Sequence, residues 1–109
     1  MNKTRTGDVI RQFRHYEVVV KFAQYANGRT AIELRDAHDG SPVAWATVNL
    51  PAENMDTNEV AIKDYSENEG MLLWLMEQGI VSEPKRIAFS GYTAIDVCEL
   101  LTDSNGRPL

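Results

Sequence analysis

The Asn27-Gly28 dipeptide, which lies between two stretches of alternating residues, constrains the fold of this 109-residue chain more than any other feature. Both central residues of a type I′ β-turn need a positive φ angle, which asparagine and glycine adopt at least cost. Residues 16–23 before the dipeptide and residues 29–35 after it alternate in polarity and are rich in β-branched and aromatic side chains. The sequence therefore predicts two antiparallel strands joined by a tight turn.

Further segments have the composition of strands. The His-Asp-Gly-Ser-Pro segment at 38–42 predicts a second turn, which leads into a third strand over residues 43–50 with Trp45 on a packed face. Pro51 ends this strand, because proline cannot donate a ladder hydrogen bond. Residues 59–63 and 85–89 predict two short strands. Residues 92–101 fit either a strand or a helix, and a strand is favoured.

One helix is predicted between these strands. Ser66 and Glu69 have the spacing of a capping box, in which each side chain accepts a hydrogen bond from the backbone N–H of the other residue. Gly79 predicts the end of the helix, because the left-handed residue that follows a last turn is usually glycine. The helix is expected to span residues 67–78. The chain is therefore predicted to be an α+β protein, with an antiparallel sheet of about five or six strands packed against one main helix.

The length of the chain is typical of one domain. We expect a single domain over residues 15–102, a basic polar arm over residues 1–14 and a flexible tail over residues 103–109. The single cysteine, Cys98, has no partner for an internal disulfide, which suits a reducing compartment. No run of about 18 apolar residues is present, and no apolar stretch follows the N-terminal charges. A cytoplasmic protein without a membrane span is therefore expected.

Charge is unevenly distributed along the chain. The formal net charge is −5, but residues 1–14 carry a net +3 and residues 53–83 carry a net −7. The acidic stretch predicts either a surface for a basic protein partner or a solvated face that keeps the protein soluble. The basic arm leaves a nucleic-acid-binding module open, although it lacks a stacking motif and an acidic chain is repelled by nucleic acid. The cations of this arm are Lys3, Arg5, Arg11 and Arg14.

Residues 71–76 are all apolar, whereas a helix that packs on one sheet needs an apolar stripe and not a full collar. We assign Leu72, Leu75 and Met76 to the core. The remaining collar residues are either buried as well or form an exposed patch for a protein partner or a second copy of the chain. Together with the acidic side chains near the helix, the predicted partner-binding residues are Met71, Leu73, Trp74, Asp64, Glu67 and Glu77.

Residues 64–69 begin like a calcium-binding loop, with Asp64, Ser66 and Asn68 at alternate positions. Such a loop needs glycine at its sixth position and glutamate at its twelfth, where this chain has Glu69 and Leu75. A helix cap explains the same residues better. No metal site and no cofactor site are predicted.

Other chemistry-bearing residues are also isolated in the sequence. Asp36, His38 and Asp39 offer metal ligands from one turn, but a complete site needs a remote partner, so a polar turn is favoured. Cys98 has acidic neighbours, which raise a thiol pKa, so a packing residue is favoured over a nucleophile. An enzyme would require a pocket in which at least two of Asp36, His38, Asp64 and Glu67 converge.

Several short segments follow one another in a recognisable order. The Asn-Gly hairpin is followed by Val-Asn-Leu-Pro at 48–51, Ile-Lys-Asp-Tyr-Ser-Glu-Asn-Glu-Gly at 62–70, the leucine-rich helix with Gly79-Ile80, and Ser-Gly-Tyr at 90–92. The chain thereby resembles a domain-of-unknown-function family of short proteins from bacteria, their phages and plasmids, which carries Tyr or Trp within the 62–70 segment. The resemblance covers about residues 16–101. It implies a mobile-element or accessory setting and transfers no functional residue.

We therefore expect a small non-enzymatic accessory protein of mobile-element type. It is expected to bind a protein partner, of basic character, through the acidic surface around the helix, for example as an inhibitor. The alternatives are a nucleic-acid-binding module that uses the basic arm and, third, a hydrolytic enzyme with a carboxylate site.

Overall fold

The computed structural model describes residues 9–102, which form two antiparallel sheets of four strands each and one α-helix. The first sheet has the order β1-β2-β3-β4, and the second has the order β5-β6-β8-β7. The α+β class with antiparallel pairing is confirmed, but eight strands in two sheets replace the expected five or six in one. The elements are β1 (Arg11–Phe13), β2 (Tyr16–Gln24), β3 (Thr30–Asp36), β4 (Pro42–Trp45), β5 (Thr47–Val48), β6 (Glu59–Ile62), α1 (Met71–Glu77), β7 (Arg86–Ser90) and β8 (Thr93–Glu99).

The β2–β3 hairpin lies where the Asn27-Gly28 dipeptide predicts it, but its loop is longer than two residues. The N–H of Tyr25 donates to the carbonyl of Arg29, and the N–H of Gly28 donates to the carbonyl of Tyr25 (both N···O 2.8 Å). Gly28 has a φ of 86°, whereas the φ of Asn27 is not positive. These bonds describe a type I turn followed by a left-handed glycine. The predicted type I′ turn is therefore wrong, while the predicted strand pairing is confirmed.

The chain passes from the first sheet to the second at Ala46. β4 pairs with β3 and β5 pairs with β6, so the predicted third strand over residues 43–50 is divided between the sheets. The N–H of Ala46 donates to the carbonyl of Ile32 (2.8 Å), and the carbonyl of Ala46 accepts from the N–H of Lys63 (2.9 Å). This residue therefore ties both sheets together. The main core between the sheets and α1 includes Val18, Ile32, Leu34, Val60, Ile62, Met71, Leu75 and Cys98.

The two ends of the described chain differ from their predictions in different ways. Part of the predicted basic arm, Arg11–Phe13, is the edge strand β1. Residues 92–101 contain the strand β8, as favoured from the sequence. Residues 1–8 and the predicted tail at 103–109 lie outside the described residues. Within residues 9–102, no helix has the length and apolar character needed to cross a membrane.

The helix begins later than the sequence predicts. A 3₁₀ turn at Ser66–Asn68 precedes α1, and Gly70 separates the two with a φ of 94°. Ser66 itself has a positive φ of 54° and makes no capping hydrogen bond with its side chain, so the predicted capping box is wrong. The first turn of α1 is capped instead by Asp64, whose Oδ1 accepts a hydrogen bond from the N–H of Leu72 (2.9 Å).

The end of the helix agrees with the prediction. Gly79 has a φ of 73°, and its N–H donates to the carbonyl of Met76 (3.0 Å). The N–H of Ile80 donates to the carbonyl of Leu75 (3.0 Å). These two bonds form a Schellman motif, which a left-handed glycine permits at least cost.

The reassigned cap predicts a difference between two neighbouring substitutions. Asp64→Ala removes the acceptor for the Leu72 N–H and is expected to lower the free energy of unfolding by about 1 kcal/mol. Ser66→Ala removes no capping bond and is expected to change this energy by less than about 0.5 kcal/mol. Urea unfolding of both variants measures the difference. The reverse order, with the larger loss at Ser66, would restore the capping box.

Candidate functional site

A concave surface lies where three separate parts of the chain meet. It is a cleft of about 350 Å³ between the β1–β2 turn, the strand β4 and the 3₁₀ turn that precedes α1. Clefts of this size are typical of sites that receive a side chain or a small ligand. Its walls are formed by Phe13, Arg14, Tyr16, Pro42, Val43, Ala44, Trp45, Lys63, Glu67 and Asn68.

Aromatic side chains at the cleft remain partly open to solvent. Tyr16 is 38% exposed and Trp45 is 45% exposed, whereas Phe13 is buried. Large amphipathic rings that are half exposed beside a concave surface are typical of protein interfaces. The prediction that Trp45 packs inside is wrong, because Trp45 is 45% exposed at the end of β4. Asn68 is buried, and its side-chain amide donates to the carbonyl of Trp45, which joins the 3₁₀ turn to β4.

The charged groups of the cleft are held by one another. Arg14 donates from Nη2 to the carbonyl oxygens of Glu67 (2.9 Å) and Glu69 (3.1 Å). Lys63 Nζ lies 2.6 Å from Glu67 Oε2, and this contact raises the pKa of Lys63 and lowers the pKa of Glu67. With two cations and one carboxylate in its wall, the cleft is slightly basic.

Backbone strain is concentrated beside the same cleft. In the described part of the chain, Arg14 (φ 55°) and Ser66 (φ 54°) are the non-glycine residues with positive φ. Such conformations cost about 1 kcal/mol each and persist where surrounding contacts hold them. The guanidinium of Arg14 supplies such contacts, because it binds the carbonyls on either side of Asn68 in the turn that Ser66 begins. The hydrogen bonds of Arg14 therefore tie the β1–β2 turn to the 3₁₀ turn at the wall of the cleft.

The structure distributes the predicted partner-binding residues over several places. Glu67 lines the cleft, while Asp64 is half-buried and its carboxylate caps α1. Glu77 is exposed at the end of α1. The carboxylates of Asp64 and Glu67 are therefore engaged within the protein, so the three predicted acidic residues do not present a surface of free carboxylates.

The apolar collar is divided in the same way. Leu75 is buried as predicted, but Met71 is also fully buried, so its assignment to an exposed patch is wrong. Leu73 is 61% exposed on the outer side of the helix. Trp74 is half-buried: its ring packs edge-on against Phe13 (centroids 5.2 Å apart) and its Nε1 donates to the carbonyl of Gln12 (2.7 Å). Leu72 and Met76 are partly buried against the core.

The polar groups of the predicted turn at 38–42 bond to nearby residues of the same sheet. Asp36 Oδ1 accepts from the N–H of His38 (2.8 Å), and His38 Nε2 lies 2.5 Å from Glu17 Oε1, which raises the pKa of His38. Of the four residues proposed for an enzyme, Glu67 is the one that lines the cleft. Within residues 9–102, no three His, Cys, Asp or Glu side chains are placed to hold a metal ion together.

Cys98 is part of the main core. Burial raises the pKa of its thiol to about 12, and the nearby Asp96 adds to this shift. A thiol with such a pKa is protonated at neutral pH and is a poor nucleophile. The packing role predicted from the sequence agrees with this position.

Two carboxylates of the acidic stretch, those of Glu53 and Glu59, are neutralised at a second location. Arg86 contacts Glu53 (2.5 Å) and Glu59 (3.2 Å), and Lys85 contacts Glu59 (3.1 Å) and Glu99 (3.8 Å). Glu59 is buried among these groups. The net charge of −7 over residues 53–83 therefore overstates the acidity of the surface.

Sequence reasoning missed Arg14, Tyr16 and Trp45 as members of one site. Arg14 and Tyr16 lie close together, in the β1–β2 turn and at the start of β2, whereas Trp45 ends β4, and no local pattern connects these two segments. Comparisons with protein-family models, with curated proteins and with solved structures gave no match to this chain. The cleft therefore has to be interpreted from its own chemistry.

Proposed function

We propose that this chain is a non-enzymatic accessory protein that binds a protein partner, and that the cleft beside β4 is its binding surface. The observation that carries the proposal is a concave site built from three segments, whose lining includes the half-exposed aromatic residues Tyr16 and Trp45. Tyrosine, tryptophan and arginine are the residues that dominate the binding energy of protein interfaces. Arg14 at the same cleft completes this set.

The charge of the cleft favours a different partner from the one that the net charge suggests. The carboxylates of Asp64 and Glu67 are already engaged, by the Leu72 N–H and by Lys63 respectively. Arg14 and Lys63 leave the wall with a small positive excess. A segment with an aromatic or large apolar side chain next to a carboxylate fits this wall best. The proposed partner is therefore a protein that presents such a segment.

The setting of this activity is also part of the proposal. The resemblance of residues 16–101 to short proteins of bacteria, phages and plasmids supports an accessory role of mobile-element type, in the cytoplasm. Occupation of a partner by such a protein would inhibit it by covering the bound segment.

The proposal is tested by selecting a phage-displayed peptide library on the immobilised full chain. Enriched peptides are expected to combine an aromatic or large apolar residue with a neighbouring Asp or Glu. Trp45→Ala is expected to weaken their binding by about thirtyfold, which corresponds to a hot-spot loss of about 2 kcal/mol. Because β4 pairs through its backbone, this substitution is expected to preserve the fold, and an NMR spectrum of the variant checks it.

The matched control is Leu73→Ala, which truncates an exposed apolar side chain outside the cleft. It is expected to leave peptide binding unchanged. Peptides that depend on Leu73 and Glu77 but not on Trp45 would place binding on the helix and overturn the proposal. A mobility shift of DNA or RNA at low salt that Arg14→Glu abolishes, without peptide enrichment, would favour the nucleic-acid alternative instead.

A further inference from the structure

The strand β7 is the unpaired edge of the second sheet, and it carries exposed apolar side chains. It is the last strand in the order β5-β6-β8-β7. Ile87 is 56% exposed and Phe89 is 67% exposed, and Tyr92 in the following turn is fully exposed. An exposed apolar edge strand is a template for pairing with another strand, which proteins otherwise cover or blunt with charges. This edge therefore requires a partner strand or a protective device.

The hydrogen-bond pattern shows which backbone groups of β7 are free. β7 and β8 form a hairpin in which Ser90 faces Thr93 across a two-residue loop, and Gly91 has a φ of 61°. The flanking pair of such a hairpin exchanges both of its hydrogen bonds, and the pattern then alternates along the strands. Ala88 therefore bonds to β8, whereas the N–H and C=O groups of Ile87 and Phe89 point away from it. Within residues 9–102, no other strand pairs with this side of β7.

The same alternation places the two exposed side chains on one face. Ile87 and Phe89 are two residues apart, and Ala88 between them is buried on the opposite face against Ile95. The edge thus offers two outward backbone pairs and two apolar side chains in register.

We infer that β7 pairs with β7 of a second copy of this chain, antiparallel and about a two-fold axis at Ala88. In this register Ile87 faces Phe89 of the second copy, and both residues present outward N–H and C=O groups, so the pairs satisfy each other. The exposed side chains of both copies then form one apolar cluster across the junction. The second sheets of the two copies join into one continuous sheet.

The charges at the edge select an uncharged partner strand. Arg86 is the charged residue of β7, and it is already neutralised by Glu53 and Glu59. In the proposed register it faces Ser90 of the second copy, so no like charges meet. The centre of the edge, Ile87 to Phe89, carries no charge, and β7 itself matches it because it is apolar at its centre and self-complementary. A contact of this extent is smaller than the about 800 Å² per partner of stable complexes, so the dimer is expected to be weak and concentration-dependent.

Sedimentation equilibrium of the full chain over a wide concentration range tests the inference. The mass is expected to rise with concentration from 12.3 kDa toward twice that value. Phe89→Lys places a charge at the centre of the pairing and is expected to keep the protein monomeric at every concentration. Leu73→Lys, the matched control on α1, is expected to associate like the unmodified chain. Thermal unfolding of both variants verifies that they fold.

Amide hydrogen exchange supplies a second readout that is specific to backbone pairing. The amides of Ile87 and Phe89 are expected to exchange rapidly in dilute samples and slowly in concentrated ones, whereas the amide of Ala88 is protected in both. A mass of 12.3 kDa at millimolar concentration would overturn the inference. So would association that Leu73→Lys abolishes and Phe89→Lys does not, because it would place the contact on the helix.

Discussion

Leu75→Ala is expected to lower the free energy of unfolding by about 3 kcal/mol, since it removes a fully buried side chain and leaves a cavity. Leu75 of α1 belongs to the main core together with Met71 and Ile80. The carbonyl of Leu75 also accepts a hydrogen bond from the N–H of Ile80 at the end of the helix. Loss of packing at Leu75 is therefore expected to weaken the core and the end of the helix together. A loss of this size is a large part of the about 5–15 kcal/mol that stabilises a typical domain.

Urea unfolding measures this effect as a lower midpoint with an unchanged slope. Leu73→Ala is the control, because it makes the same change two residues away on a side chain that is 61% exposed. Its expected cost is below about 0.5 kcal/mol. Equal losses at both positions would show that Leu73 is buried in solution, and the assignment of the collar to a buried and an exposed side would then be wrong.

Glu59→Gln is expected to lower the free energy of unfolding by about 2 kcal/mol at neutral pH. The Glu59 side chain is 5% exposed and lies between Lys85 (3.1 Å) and Arg86 (3.2 Å). Its Oε1 also accepts the N–H of Asp56 (3.0 Å). Glutamine keeps the volume of the side chain but loses its charge, and a hydrogen bond to a charged group contributes about 1.5–3 kcal/mol.

This contribution has a defined dependence on pH. The Asp56 N–H lowers the pKa of Glu59 from its ordinary value of 4.5, burial opposes this shift, and Lys85 and Arg86 add to it. Because the pKa is lower in the folded state, the stabilisation is complete above 4.5 and is lost as the pH falls through the folded value. The difference in stability between the unmodified chain and Glu59→Gln is therefore expected to shrink in acid.

The measurement is urea unfolding of both proteins from neutral pH to below 4.5. Glu83→Gln is the control, since Glu83 is exposed, and it is expected to leave stability nearly unchanged at every pH. A constant difference between the unmodified chain and Glu59→Gln across this range would contradict a buried carboxylate that is charged in the folded state.

Local features account for the parts of the fold that the sequence predicts correctly. Alternating polarity identifies β2 and β3, because residues on successive positions of a strand face opposite sides of the sheet. Gly79 identifies the end of α1, because few other residues adopt its conformation at low cost. The α+β class follows from one helical segment among several strand segments. In each of these cases, residues within one turn or one strand decide the outcome.

Contacts between distant segments decide the remainder. The helix is capped at Gly70 and not at Ser66. The reason is that Asp64 accepts a hydrogen bond from the Leu72 N–H, while the side-chain amide of Asn68 donates to β4. The division of one predicted strand at Ala46 depends on bonds to Ile32 and Lys63. The residues in each of these contacts lie in different segments of the chain, and no local pattern predicts that these segments meet.

The apolar segment at residues 71–76, the most unusual part of the sequence, shows the same division between local and long-range determinants. The sequence alone determined that residues 71–76 form an apolar helical segment, because composition and a terminal glycine are local properties. Only the tertiary structure decided that Met71 and Leu75 face the core while Leu73 faces outward. It also decided that Arg14 and Tyr16 share one cleft with Trp45, because segments that are remote in the chain meet only when the chain folds around its core.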